Sequence, residues 1–168
     1  MKHILTILLL SITSALHAQS INDCKFNDAL LDNMTGQWVM GGEMGQQKVA
    51  YNFTAQWVMN HQFMEWEITD ILKSPPAYTA KVYVGYDCAS KQYIVHWIDN
   101  MGGKFSETLG YGTKKGDAIE VKFKYPNAPS VNTISYDKAK GTWQFHMVWQ
   151  DKNKKWSTWS KTTLIRKR

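Results

Sequence analysis

The chain lacks long apolar runs, Pro-, Ser- or Gly-rich stretches, and the short catalytic signatures from which function is most often read. Its main apolar run, Ile4-Leu5-Thr6-Ile7-Leu8-Leu9-Leu10, falls short of the roughly 20 residues a membrane-spanning helix needs, so no transmembrane span is expected in the mature chain. With no linker-like segment to divide it, the remainder reads as one domain able to bury a substantial core. No Gly-x-Ser-x-Gly elbow, His-Glu-x-x-His pair, Walker loop or dinucleotide fingerprint occurs. The familiar nucleophile, zinc and phosphate sites therefore lack support, and no catalytic residue, metal site or cofactor is assigned. Cysteine is scarce too, with Cys24 and Cys88 alone.

Met1-Lys2-His3, the apolar run and the small residues of Ala15-Leu16-His17-Ala18 follow the order of a secretory signal. Cleavage after Ala18 is expected, which makes residues 1–18 a signal peptide and 19–168 a single exported domain, periplasmic or extracellular. In an oxidising compartment a Cys24–Cys88 disulfide is the default expectation, two unrelated thiols the alternative. Such a bridge would tether the N-terminal arm to a hairpin turn and, for a loop of this length, contribute about 4 kcal/mol. The formal net charge is +6, with lysines in turns such as Lys114-Lys115 and Lys154-Lys155 and a tail of Arg166-Lys167-Arg168. Scattered cations of this kind read as a solvated rim. Nucleic acid is not expected as a partner, while weak attraction to anionic lipid or polysaccharide stays open.

What the chain has in abundance is strand grammar. Between Val82 and Gly103 two short β-branched and aromatic runs alternate with Asp87-Cys88-Ala89-Ser90 and Asp99-Asn100-Met101-Gly102-Gly103 turns. The same pattern predicts strands at about 36–44, 47–56, 61–71, 79–86, 91–99, 104–112, 117–125, 130–137, 141–150 and 155–166, after one or two helical turns around Asn27–Met34. The only long connection expected is Lys73-Ser74-Pro75-Pro76-Ala77. The fold class is all-β, an antiparallel lipocalin-like barrel of 8–10 strands with a short N-terminal helical turn. Alternation turns Trp143, Phe145, Met147 and Trp149 inward against Gln144, His146 and Gln150, and sets Met64, Trp66 and Ile68 against Glu65 and Glu67. Trp156 and Trp159, an odd number of positions apart, should face opposite ways. Strand 91–99 is apolar on both faces, so its outside is expected to be covered or to contact another subunit.

Gly36-Gln37-Trp38, placed after the helical turn, resembles the Gly-x-Trp signature of lipocalin-type barrels. That resemblance implies that Trp38 plugs one end of the barrel beneath a basic side chain of the last strand, a role for Arg166. The wider pattern, Leu31 to Trp38, Gly85-Tyr86-Asp87, Trp97-Ile98-Asp99 with Gly102-Gly103, a strand bearing Gly110 and a basic last strand, resembles the bacterial domain-of-unknown-function family 1579. The resemblance covers nearly all of the mature chain and carries no assigned activity. A barrel with a small-molecule cavity is what it implies.

With eight Trp, eight Met and eight Tyr, the interior is expected either to be filled by its own side chains or to leave a cavity. Met64, Trp66, Tyr83, Trp97, Phe123, Trp143, Met147 and Trp149 would line such a cavity and hold a small apolar or aromatic ligand by burial. Three alternatives stand beside this reading. An exported isomerase or hydrolase would use Glu65, Glu67 or a nearby histidine, His61 being the closest in sequence. An envelope interaction protein would use strand 91–99, also the candidate oligomer contact, or the basic tail. A haem-binding barrel, by resemblance to the nitrobindin-like proteins, would use a single lumenal histidine, with His146 as the position to test; His96 is the other lone strand histidine.

Overall fold

The computed structural model describes residues 24–168 apart from Asn127; the expected signal peptide lies outside the described residues. A single helical turn, α1 (Ala29–Asp32), precedes five strands, β1 (Gly36–Met44), β2 (Gln47–Val58), β3 (Phe63–Asp70), β4 (Thr79–Asp87) and β5 (Gln92–Asp99). A second short helix, α2 (Gly103–Ser106), then leads to β6 (Gly110–Lys115), β7 (Ala118–Phe123), β8 (Ser130–Asp137), β9 (Thr142–Gln150) and β10 (Trp156–Arg166). Each strand pairs antiparallel with its sequence neighbours, and β1 also pairs with β10, so the sheet closes into a barrel with no free edge. The strands expected from the sequence are present. The exception lies around residues 104–109, where Gly102, at φ 104°, breaks the extended path and α2 packs over β5 instead. Lys104-Phe105-Ser106-Glu107 carries no β-branched residue to resist the helical turn.

The two barrel ends differ. At one end Asp28 caps α1, accepting from the Leu30 and Leu31 amides at 2.8 and 3.3 Å, and Leu30, Leu31 and Met34 plug the opening. Trp38 lies fully buried beneath them and donates its indole N–H to the Met34 carbonyl at 2.7 Å. The Arg166 guanidinium sits 4.2 Å above the Trp38 ring and donates to the Asn33 and Thr35 carbonyls at 3.0 Å each, closing the C-terminal side of the turn. Gly36 belongs to the same device: its φ is +123°, and a Cβ there would stand 2.6 Å from Arg166 Nη1. The Cys24–Cys88 disulfide, Cα–Cα 5.9 Å, ties the preceding arm to the β4–β5 turn at this end. Phe26 of that arm stacks on Tyr86 and meets Trp57 edge-on.

At the opposite rim the connections are the β1–β2 turn, the β3–β4 loop (71–78), the β5–β6 segment with α2, the β7–β8 loop and the β9–β10 turn. In β10 the pairing slips between Thr158 and Ser160. Beside this bulge Trp156 and Trp159 are both exposed, and Trp159 lies 6.0 Å from Trp149.

Candidate functional site

Inward side chains grade from full burial to half-burial along the barrel axis. Around α1 the interior is a dry aromatic core: Trp38, Phe53, Trp66 and Trp143 are at most 1% exposed, and Phe53, Trp66 and Phe145 meet ring to ring at 5.6–5.9 Å. Towards the open rim Trp97, Met147 and Trp149 are only partly buried. There the lining also becomes polar, because Ser130 and Asn132 of β8 and Ser160 and Thr162 of β10 turn inward and are buried. Met147 is flanked in register by Asn132 and Ser160, and Trp149 by Ser130. Among the described residues the buried Asn132 Oδ1, Trp66 Nε1 and Trp143 Nε1 have no hydrogen-bond partner. Each leaves a desolvated polar atom uncompensated, which the surrounding structure offsets.

On the other side of the rim the Trp97 indole donates to the Tyr78 hydroxyl at 2.8 Å, and Tyr78 donates to Asp99 Oδ2 at 3.1 Å. Burial pushes the Tyr78 phenol far above the ordinary tyrosine value; the Trp97 N–H pulls it down and the Asp99 carboxylate adds to the rise. Tyr51 is raised by burial and by the charge of Asp70, and Tyr125 by burial and by Asp99. Asp70 itself holds the 71–78 loop, accepting from the Leu72 and Ala77 amides at 2.8 and 3.1 Å. This side of the rim thus combines neutral phenols, an indole and carboxylate charge.

Of the residues expected to line a cavity, Met64, Trp66 and Trp143 belong to the packed core, and Phe123, also buried, stacks on Tyr125 at 5.6 Å. Trp97, Met147 and Trp149 are each partly buried near the rim ends of β5 and β9. Tyr83 does not join them: it pairs with His96 on the outer wall, while its neighbours Val82 and Val84 turn inward. The period of two places residue 83 outside once 82 and 84 are inside.

The carboxylate pair is also on the outer wall. Glu65 is 8% exposed, accepts from Tyr83 and from Gln56 Nε2 at 3.0 Å, and lies 3.7 Å from Lys81 Nζ, which holds Glu67 at 2.6 Å. The Tyr83 and Gln56 hydrogen bonds, with the Lys81 charge, lower the Glu65 pKa against the effect of burial, so this carboxylate is a weak base. A shallow outer concavity of about 440 Å³ includes Glu67, Lys81 and Tyr83. His61 is in the β2–β3 turn, stacked 3.9 Å from Trp57, apart from the carboxylates. His146 is exposed on the outer face with Nε2 3.0 Å from Thr158 Oγ1, so it cannot ligate a haem in the lumen. His96 is outside as well, 2.9 Å from the Ser106 carbonyl, where α2 covers part of β5. Among the described residues no three His, Cys, Asp or Glu side chains are grouped to hold a metal ion.

Residues 24–163 match the family described as "Protein of unknown function (DUF1579)". The chain belongs to this family. No match was found among curated proteins. The matched span runs from the disulfide arm into β10, so the family segment and the barrel coincide.

In this DUF1579 member, two groups of residues have no signal in local sequence. Tyr78 sits in an irregular loop after Pro75-Pro76, and nothing local predicts that it meets Trp97 and Asp99. Asn132 could have been found: with Ile134 inward, alternation turns Asn132 and Ser130 inward too. The second group is at the α1 end, where the buried Asp28 carboxylate takes the Tyr93 hydroxyl and Lys114 Nζ at 3.1 Å beside a concavity of about 310 Å³ that also includes Lys25, Lys91 and Thr113. These residues are far apart in sequence and are joined only by closure of the barrel.

Proposed function

We propose that this protein is an exported carrier that holds a small apolar or aromatic molecule in the rim half of its barrel, stacked against Trp97 and Trp149 and resting on Met147. The carrying observation is the polarity change along the lumen, from a dry aromatic floor to half-buried aromatics beside the unpartnered Asn132 Oδ1. A guest with an apolar ring and one hydrogen-bond donor matches that combination: the ring gains burial and the donor satisfies Asn132. The Cys24–Cys88 bridge supports export, because such bonds persist in oxidising compartments.

The test uses N-phenyl-1-naphthylamine, a neutral aromatic probe with one N–H, followed by its fluorescence gain. Ser160→Leu, which adds apolar bulk beside Met147, should abolish uptake with an unchanged far-ultraviolet spectrum. Tyr83→Ala on the outer wall should leave uptake intact. Equal uptake by the parent and Ser160→Leu would refute the assignment. Native mass spectrometry of protein purified from its own host would then name the natural ligand class.

A further inference from the structure

Large exposed apolar side chains are unevenly distributed over this barrel. Towards the α1 end they are Val39, Met59 and Ile165, and Ile98, Leu109 and Tyr111 lie on or beside β5 and β6, whereas the open rim carries Ile71, Leu72, Met101, Phe105, Trp156 and Trp159, between 43% and 66% exposed. The first four of the rim set lie on the β3–β4 loop and the β5–β6 segment. Asn100 donates to the Ala77 carbonyl at 3.1 Å and accepts from the Thr79 amide at 3.2 Å, which locks the β3–β4 loop against the start of the β5–β6 segment. The two tryptophans stand at the start of β10 on the same rim.

Charge accompanies this apolar fringe. Lys73 follows Leu72, Lys104 precedes Phe105, and Lys152, Lys154 and Lys155 crowd the turn before Trp156, all exposed. Among the described residues none of these lysines is in an ion pair. The nearby acids are in part engaged: Asp151 accepts the Asn153 and Lys155 amides, Asp70 accepts the Leu72 and Ala77 amides and Asp99 accepts the Tyr78 hydroxyl, while Glu43 and Glu107 are exposed. Apolar tips flanked by ammonium groups, with tryptophans at the boundary, have the chemistry of an interfacial membrane contact: the tips enter the acyl boundary while lysines meet anionic headgroups.

We infer that the open rim docks onto the surface of an anionic lipid bilayer. The occupant follows from charge complementarity, since unpaired cations ring the apolar tips. Docking there would place the mouth of the lumen against the lipid surface, but it does not depend on the lumen holding a guest.

Flotation of the oxidised protein with phosphatidylcholine vesicles, with and without phosphatidylglycerol, tests this. Binding should need phosphatidylglycerol and fall with added salt. Leu72→Ser/Phe105→Ser should weaken it by about tenfold. Lys152→Glu/Lys154→Glu/Lys155→Glu should weaken it comparably, and Met59→Ser/Ile165→Ser should not. Comparison with the parent isolates the rim from any contribution of the Ile4–Leu10 segment. As an independent readout, brominated lipid should quench tryptophan emission in the parent but much less in Trp156→Phe/Trp159→Phe. Equal binding to neutral vesicles, unaltered binding by both rim variants, or undiminished quenching without the two tryptophans would overturn the inference. So would a dimer that Leu72→Ser/Phe105→Ser dissociates in a protein that binds no vesicle.

Discussion

Replacing Asp28 with alanine should cost this barrel more than any exposed substitution, and the sum can be worked from its contacts. The carboxylate is 4% exposed and does three separate things. It caps α1 through the Leu30 and Leu31 amides, a role whose loss costs about 1 kcal/mol. It accepts the Tyr93 hydroxyl, which is 3% exposed and would be left without an acceptor, a loss of about 1–3 kcal/mol. It also pairs with Lys114, whose side chain is 41% exposed and can turn to water, so this part contributes at most about 1 kcal/mol. The total is about 2–5 kcal/mol, a large share of the stability of an ordinary domain. Tyr93→Phe removes one donor but leaves the carboxylate its cap bonds and Lys114, so about 1 kcal/mol is expected. In the double variant the orphaned hydroxyl no longer exists, and the two effects should fall short of additivity by about 1–2 kcal/mol. Urea unfolding followed by tryptophan fluorescence measures all four proteins, with the disulfide intact so that the unfolded reference is shared. An Asp28→Ala change within about 0.5 kcal/mol of the parent, or strict additivity with Tyr93→Phe, would refute the reasoning.

Reducing the Cys24–Cys88 bridge, or replacing both cysteines with serine, should lower stability by about 4 kcal/mol for a sequence separation of 64, read as matched shifts in the urea midpoint. Tyr78 and Tyr93 have folded pKa values pushed well above the ordinary 10.0, chiefly by burial, so the folded state keeps protons that the unfolded chain loses. Stability from these groups is complete below about pH 10 and declines as pH rises towards their folded values. Tyrosinate absorbance should therefore rise sharply with alkaline unfolding, and Tyr78→Phe/Tyr93→Phe should flatten the pH dependence; an unchanged slope would count against it. Gly36→Ala, at φ +123° against Arg166, should cost about 1–3 kcal/mol by thermal unfolding, whereas Gly41→Ala, where a Cβ meets nothing within 4 Å, should cost less.

Strand grammar, turn residues and the Gly36-x-Trp38 start were enough to determine an antiparallel barrel, its strand limits to within a few residues and the inward set on β9, because each depends on period and local backbone preference. The cysteine pair was legible for a similar reason, since only two partners existed. Where local rules were overruled, a tertiary contact decided. The register of β10 slips between Thr158 and Ser160, and glycine at 102 let α2 form against β5. Tyr83 sits outside by the same alternation that was applied correctly to β9. The candidate site is the part that tertiary structure alone decided: whether inward aromatics form a floor or a mouth depends on which barrel end α1 plugs. The meetings of Asp28 with Tyr93 and Lys114, of Trp97 with Tyr78 and Asp99, and of the apolar tips on one rim arise only when ten strands close and bring distant turns to a common end.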